Sequence, residues 1–237
     1  MPSVSLIVPA AGQGQRFAGC TPGGVKKQFA LMSGRPVLAH TLARFAEVED
    51  IIEVIVAVEE RDLAMAADLL AEAMAPFKAS RIIAGGAERA DTVAAALAEV
   101  SVRSDLVAIH DAVRPLVTPG LIRQVIAAAS ETGGAIVGIP IRDTVKRVMG
   151  DGTIAETVPR SDLWVAQTPQ VFHRESIIEA YRERRAAADI TDDAQVFEAL
   201  GRRVAIVEGT PTNLKITTRE DLLRAEALLK AGWPREG

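Results

Sequence analysis

Cysteine is almost absent from the 237 residues: Cys20 stands alone, so no internal disulfide can form and no C-x-x-C pair or metal-ligand spacing exists. A reducing compartment suits such a chain. Aromatic residues make up 4% of the sequence, which leaves few platforms on which nucleic-acid bases could stack. Nor is there an excess of positive charge, since 27 Lys+Arg face 31 Asp+Glu for a formal net charge of −4. Nucleic acid is therefore not the expected partner. Long apolar runs are missing too. The runs at 54–58 and 135–140 fall far short of the roughly 20 residues that a membrane helix needs, so no membrane association is expected. The opening residues, Met1-Pro2-Ser3-Val4, carry no basic region ahead of an apolar stretch. The expected location is cytoplasmic, without a secretory signal.

What is present is an ordinary globular mixture, 49% hydrophobic and 24% charged, of a length that suits one large α/β domain or two small ones. β-Branched runs at 4–8, 52–58, 81–83, 106–110, 135–139 and 204–207 lack strict alternation, as strands covered on both faces do. Helical patterns separate them. Leu38, Leu42 and Phe45 share one face, as do Leu121, Ile122, Val125 and Ile126 after the capping pair Thr118-Pro119. Thr217 and Glu220 are spaced as a capping box before the last helix, and Gly201 is placed to end the helix carrying Val196, Phe197 and Leu200. The expectation is a mostly parallel central sheet flanked by helices, spanning 1–237 as a single domain. Residues 142–165 interrupt the alternation, with Gly150-Asp151-Gly152 between two short strand-like stretches. They predict a protruding β-hairpin arm whose Val145, Val148, Ile154 and Val158 need cover from a second subunit, and hence a homodimer.

Chemistry concentrates at the ends of these strands. Pro9-Ala10-Ala11-Gly12-Gln13-Gly14-Gln15-Arg16 follows the first, where small residues let backbone N–H groups approach an anion. It suits either a phosphate cradle or a tight turn. Phe17 stands where a dinucleotide fingerprint needs its third glycine, and no G-K-[ST] ending follows, so the dehydrogenase and Walker ATPase readings both fail. Arg16, Lys26 and Lys27 lie in an unusually long connection, where they can neutralise a polyphosphate or form a solvated surface group. Ile109-His110-Asp111-Ala112-Val113-Arg114-Pro115 closes another strand. There Asp111 can hold Mg2+ beside a nucleotide phosphate and Arg114 can meet a second anion, or the two can pair on the surface. His110 reads as a packed residue. Gly85-Gly86-Ala87-Glu88-Arg89-Ala90-Asp91-Thr92 can admit a base or be an ordinary glycine turn, and Lys215 sits between the last strand and the last helix.

Taken together, Pro9-Ala10-Ala11-Gly12-x-Gly14-x-Arg16, Lys27-Gln28-Phe29, the Gly85–Thr92 and Ile109–Pro115 blocks, Arg142-Asp143-Thr144 and Gln167-Thr168-Pro169-Gln170 resemble the 2-C-methyl-D-erythritol 4-phosphate cytidylyltransferase family. The resemblance spans about 4–229. It implies a Rossmann-like nucleotidyltransferase fold, a homodimer with an exchanged arm, a divalent cation, normally Mg2+, and the reaction of CTP with methylerythritol phosphate to give CDP-methylerythritol and pyrophosphate. Carried over by position, Ala10, Ala11, Gly12 and Gly14 wrap the nucleotide, Gly86 and Thr92 receive cytosine, and Asp111 with Ala112 borders the ribose and the metal. Arg16, Lys27 and Lys215 grip the phosphates. Thr144 and Arg160 of the arm, with Arg114 and Thr168, hold the second substrate. Two departures stand out: Lys26 replaces the proline usual before the family lysine, and Ala87 replaces an acidic residue. Gly23 and Gly24 in the long connection suit a lid. The nearest competing activity is a ribitol 5-phosphate cytidylyltransferase, and the non-enzymatic alternative is a nucleotide-binding regulatory domain.

Overall fold

The computed structural model describes residues 2–12, 17, 25–184 and 190–233. Arg16, Gly14, Gly23 and Gly24 therefore lie outside the described residues. In chain order the elements are β1 (Val4–Pro9), β2 (Leu31–Met32), β3 (Arg35–Pro36), α1 (Val37–Ala46), β4 (Ile51–Val58), α2 (Leu63–Met74), β5 (Ser80–Ala84) and α3 (Arg89–Ala98). They continue as β6 (Leu106–Ile109), α4 (Pro119–Thr132), β7 (Gly134–Pro140), β8 (Val145–Val148), β9 (Ile154–Val158), β10 (Trp164–His173), α5 (Arg174–Glu183), α6 (Asp193–Glu198), β11 (Ala205–Glu208) and α7 (Arg219–Lys230). None of the described helices is long and apolar enough to cross a membrane.

A seven-stranded sheet in the order β11-β7-β10-β6-β1-β4-β5 forms the centre. Side chains alternate across it as the pleat demands. Leu6, Val8, Val54 and Val56 pack with Leu38, Leu42 and Phe45 of α1, with Leu70 of α2 and with Val125 of α4. Ile7 and Ile55 point to the opposite layer, where Val93 and Leu97 of α3, Ile177 of α5 and Phe197 of α6 cover them. Both faces are thus dry, which is why these strands lack a polar alternation. The expected α/β architecture is the observed one. Thr118 caps α4 as its sequence suggests, accepting a hydrogen bond from the Leu121 N–H at 3.1 Å, with Pro119 in the first turn.

Three details differ from the sequence reading. The long strand β10 had no counterpart in it, and it runs antiparallel to both β6 and β7. Its Thr168-Pro169 pair sits at a register shift between Gln167 and Gln170, which breaks the apolar run by which a strand is recognised. Because Trp164 and Val165 already pair with Pro140 and Ile139, the hairpin ends before them rather than at 165. The cap of α7 is shifted by one residue: Thr218 accepts from the Asp221 N–H at 3.3 Å, and the Asp221 carboxylate receives the Thr218 N–H at 2.9 Å.

The hairpin of β8 and β9 is a separate two-stranded sheet, cross-linked by Arg147 to Glu156 at 2.6 Å. Val148 is 57% exposed and Ile154 61% exposed, so the described residues leave both largely uncovered. Thr118→Ala is expected to lower stability by about 1 kcal/mol, the usual worth of an N-cap. Thermal unfolding should show a midpoint about 2–4 °C lower; an unchanged midpoint would mean that the cap contributes nothing.

Candidate functional site

The carboxyl ends of β1, β5 and β6 open onto a cavity of about 730 Å³, the edge at which open α/β sheets bind ligands. Pro9, Ala10, Ala11 and Gly12 form one wall. Gln28, 2% exposed, fixes that wall by donating its amide hydrogens to the carbonyls of Ala10 at 2.6 Å and Gly12 at 3.3 Å. The Ala11 N–H is trans to the Ala10 carbonyl in the same peptide plane, so it is turned the opposite way.

A second wall is the turn after β5. A Cβ on Gly85 would fall 2.6 Å from the Cβ of Ala11, so only glycine lets the two walls approach this closely. A Cβ on Gly86 would meet that of Asp91 at 2.4 Å. Thr92 is buried and closes the turn, accepting from the Gly86 N–H at 3.1 Å and donating to the Glu88 carbonyl at 3.0 Å. Gly86 and Thr92 thus line the cavity and also hold a glycine turn together.

Asp111, with Ala112, supplies the floor beyond β6. Its Oδ2 lies 3.0 Å from Lys215 Nζ and 3.2 Å from Arg114 Nε, and its Oδ1 lies 3.7 Å from Arg89 Nε. Burial alone would raise its pKa, but Lys215, Arg89 and Arg114 together hold the carboxyl well below the usual carboxylate range. Asp111 and Arg114 do pair, as one reading of the sequence had it, yet both are buried rather than on the surface. Arg114 also donates to the carbonyl of Asn213 at 2.7 Å, which ties the loop carrying Lys215 to the floor.

The floor has a polar support of its own. The Asp111 N–H donates to Thr168 Oγ1 at 3.0 Å, and Thr168 Oγ1 lies 3.1 Å from His110 Nδ1. His110 Nε2 faces the Arg114 carbonyl at 3.2 Å. A carbonyl only accepts, so Nε2 carries the proton and Nδ1 accepts from the threonine. Burial pushes the His110 pKa down to about 3 and keeps the ring neutral. Asn213 completes the support by donating to Gln167 Oε1 and the Thr168 carbonyl, each at 3.0 Å.

The two adjacent lysines separate cleanly. Lys26 binds Glu59 at 2.9 Å and Asp62 at 2.5 Å, whereas Lys27 lines the cavity. Ala10, Ala11, Gly12, Lys27, Gly86, Thr92, Asp111, Ala112 and Lys215 are thereby brought together. Arg114 and Thr168 stand behind Asp111 instead of on the cavity lining. Thr144 and Arg160 lie exposed on the arm, away from the cavity, with the Arg160 guanidinium on the Arg142 carbonyl. Arg16 and Gly14 are outside the described residues.

Reading the sequence missed the roles of Gln28 and Arg89, although both occurred in its motif blocks, and gave Asp193 and Asn213 no place. Arg89 lines the cavity and forms a double hydrogen bond with Asp193 at 3.0 and 2.7 Å. Burial lowers its pKa, but Asp193 and Asp111 reverse the shift and raise it. Among the described residues no group of three His, Cys, Asp or Glu side chains is arranged to hold a metal. Mg2+ needs no such cage when one or two carboxylates and substrate phosphates complete its shell, and the ionised Asp111 suits that part.

His40 and His110 both have lowered pKa values, His40 mainly through burial. Below pH 6.5 the unfolded chain then binds protons that the folded chain does not, so stability is full above that pH and falls as the pH drops toward the folded values. The thermal midpoint should decline between pH 6.5 and about pH 5, before unfolded carboxylates begin to titrate. A flat midpoint over that interval would mean that neither ring is held neutral.

Comparison with known proteins gives a consistent result. The sequence profile of the 2-C-methyl-D-erythritol 4-phosphate cytidylyltransferase family matches residues 4–231. A protein of that name from Syntrophus aciditrophicus is 44% identical over 97% of each chain. Another from Symbiobacterium thermophilum is 42% identical over 96% of this chain and 93% of its own. Among solved structures, 4-diphosphocytidyl-2C-methyl-D-erythritol synthase from Anaerococcus prevotii superposes with a TM-score of 0.83 at 30% identity, covering 97% of this chain and 96% of that one. The Thermus thermophilus cytidylyltransferase gives 0.76 at 37% identity, covering 96% and 99%. The chain belongs to the 2-C-methyl-D-erythritol 4-phosphate cytidylyltransferase family.

Proposed function

We propose that the cavity at the ends of β1, β5 and β6 is the site at which this enzyme transfers the cytidylyl group of CTP to 2-C-methyl-D-erythritol 4-phosphate, in isoprenoid synthesis. The observation that carries the assignment of the site is the convergence of Lys27, Lys215 and the Pro9–Gly12 backbone on one cavity beside the ionised Asp111. A triphosphate is met there by two ammonium groups on flexible stems and by peptide N–H donors. The Gly85-Gly86 turn stands opposite, packed against Ala11 and Asp91 as only glycine allows, and Gly86 and Thr92 line the cavity where the pyrimidine would lie.

The chemistry asks little of the protein beyond placement. A phosphate oxygen of methylerythritol phosphate is already ionised near neutral pH, so no general base is needed. It forms a bond to the α-phosphorus of CTP as the bond to the pyrophosphate oxygen breaks in line, and the negative charge leaves with pyrophosphate. Lys27 and Lys215 neutralise charge on the phosphoryl oxygens, and Arg16 takes the same role on the strength of its motif. Lys215 rests on Asp111, and its side chain is 42% exposed, so its head group can reach toward the triphosphate without dragging the loop that Arg114 anchors. Mg2+, when bound, would supply charge neutralisation to the phosphates, and Asp111 would hold it.

The arm needs a second copy of the chain. Exposed Val148, Met149 and Ile154 support a homodimer in which Thr144 and Arg160 of one protomer reach the methylerythritol phosphate of the other. Arg114 and Thr168 act on the site indirectly, by fixing Asp111 from behind. A cytoplasmic location suits a chain with one cysteine.

Neither the geometry nor the relatives described above favour ribitol 5-phosphate. Pyrophosphate release from CTP and Mg2+ is expected with methylerythritol phosphate and absent with ribitol 5-phosphate or without acceptor; release with ribitol 5-phosphate alone would overturn the acceptor. Lys27→Ala is expected to lower turnover roughly 100- to 1,000-fold. Mixing those chains with Arg160→Ala chains should restore part of the activity through hybrid dimers, and no recovery after confirmed subunit exchange would refute the shared site.

A further inference from the structure

Asp193 is fully buried at the first position of α6, where no capping role explains it, because the neighbouring Asp192 caps the helix by accepting from the Gln195 N–H at 3.0 Å. An ion taken out of water costs several kcal/mol unless its partners offset it, so a carboxylate here calls for a purpose. Its partners hold it rigidly. The Tyr181 hydroxyl donates to Oδ1 at 2.5 Å, and the backbone N–H of Asp193 donates to Gln170 Oε1 at 3.0 Å. Burial and the Asp193 charge both raise the Tyr181 pKa, so the hydroxyl stays a donor.

The remaining capacity of Asp193 goes to Arg89. Both terminal nitrogens of that guanidinium lie in the carboxylate fork, which leaves Nε facing Asp111 Oδ1 at 3.7 Å, too long for a hydrogen bond. Lys215 and Arg114 both sit on Oδ2. A shift of less than about 1 Å would bring Arg89 onto Oδ1, the oxygen that Lys215 and Arg114 leave open. We propose that Asp193 is a positioning residue that holds Arg89 back from Asp111, so that one carboxylate oxygen at the cavity floor stays available to the bound nucleotide and its cation. This rests on the cavity being the CTP site. It assigns Asp193 a role in affinity that merely joining α3 to α6 would not give.

The test is the Kd for CTP in Mg2+, measured by titration calorimetry beside the thermal midpoint of each variant. Asp193→Asn releases Arg89 and is expected to weaken CTP binding about tenfold, the worth of one charge-assisted hydrogen bond. The double variant Arg89→Gln/Asp193→Asn leaves neither buried charge unpartnered, and it should return the Kd to within about threefold of the native value. Tyr181→Phe removes a structural hydrogen bond but not the restraint, so it should lower the midpoint while leaving the Kd within about twofold.

Native affinity in a folded Asp193→Asn protein would overturn the proposal. So would a double variant that binds tenfold or more weakly, since Arg89 would then be a ligand of the nucleotide itself. If the single variant fails to fold, binding weakened tenfold or more in the double variant still overturns the proposal. Asp111→Asn binding CTP as the native protein does would instead bring down the reading of the cavity, which keeps the two failures apart.

Discussion

Three cations meet on one carboxylate at the floor of the cavity, and the arrangement of the site follows from how that charge is shared. Asp111 is buried and ionised because Lys215, Arg114 and Arg89 surround it at 3.0, 3.2 and 3.7 Å. Each cation comes from a different part of the chain: the β11 to α7 loop, the segment after β6 and the first turn of α3. Pulling them to a common point fixes three loops relative to one another. The arrangement also keeps net positive charge beside the cavity, since one carboxylate and Asp193 together face three cations. That surplus suits the triphosphate proposed to bind there.

Around this centre the neutral polar groups are distributed so that each fixes a neighbour. Thr168 accepts from the Asp111 N–H and donates a hydrogen bond to a His110 ring that burial keeps uncharged, and the ring in turn donates to the Arg114 carbonyl. Asn213 joins the Gln167-Thr168 backbone to the loop that carries Lys215. These contacts depend on β10, because Thr168 reaches Asp111 only when that strand lies beside β6. An antiparallel strand inserted between two parallel ones thus brings an otherwise distant segment to the carboxyl edge, and it carries the arm outward from the same edge.

The two walls of the cavity are matched by size. Gly85 tolerates Ala11 at a distance no other residue would allow, and Gln28 holds the Ala10 and Gly12 carbonyls from beneath. Backbone rather than side chain therefore frames the proposed nucleotide site. Such a frame is rigid and cheap in conformational entropy, which leaves the flexible lysines as the adjustable charges of the proposed site.

Much of this was legible in the chain itself. The buried β-branched runs announced the sheet, the apolar stripes of α1 and α4 announced the helices that cover it, and the glycines and charged residues at strand ends marked one edge for ligands. Those signals are local, being periodicity, caps and small residues over a few positions, so a linear string carries them. The strand β10 escaped because its polar Gln167-Thr168-Pro169-Gln170 core breaks the pattern by which strands are recognised. The choice of Lys27 over Lys26 was legible in the Lys27-Gln28-Phe29 block, but what holds Lys26 was not, because Glu59 and Asp62 lie more than thirty residues away. Asp193 gave no signal at all, for a buried aspartate looks like any surface aspartate until its partners are seen. The linear chain thus carries the class of fold and the chemical types at the site. Which charge faces which is settled only in three dimensions, because electrostatic pairing depends on distance and burial, and neither is a property of the chain before it folds.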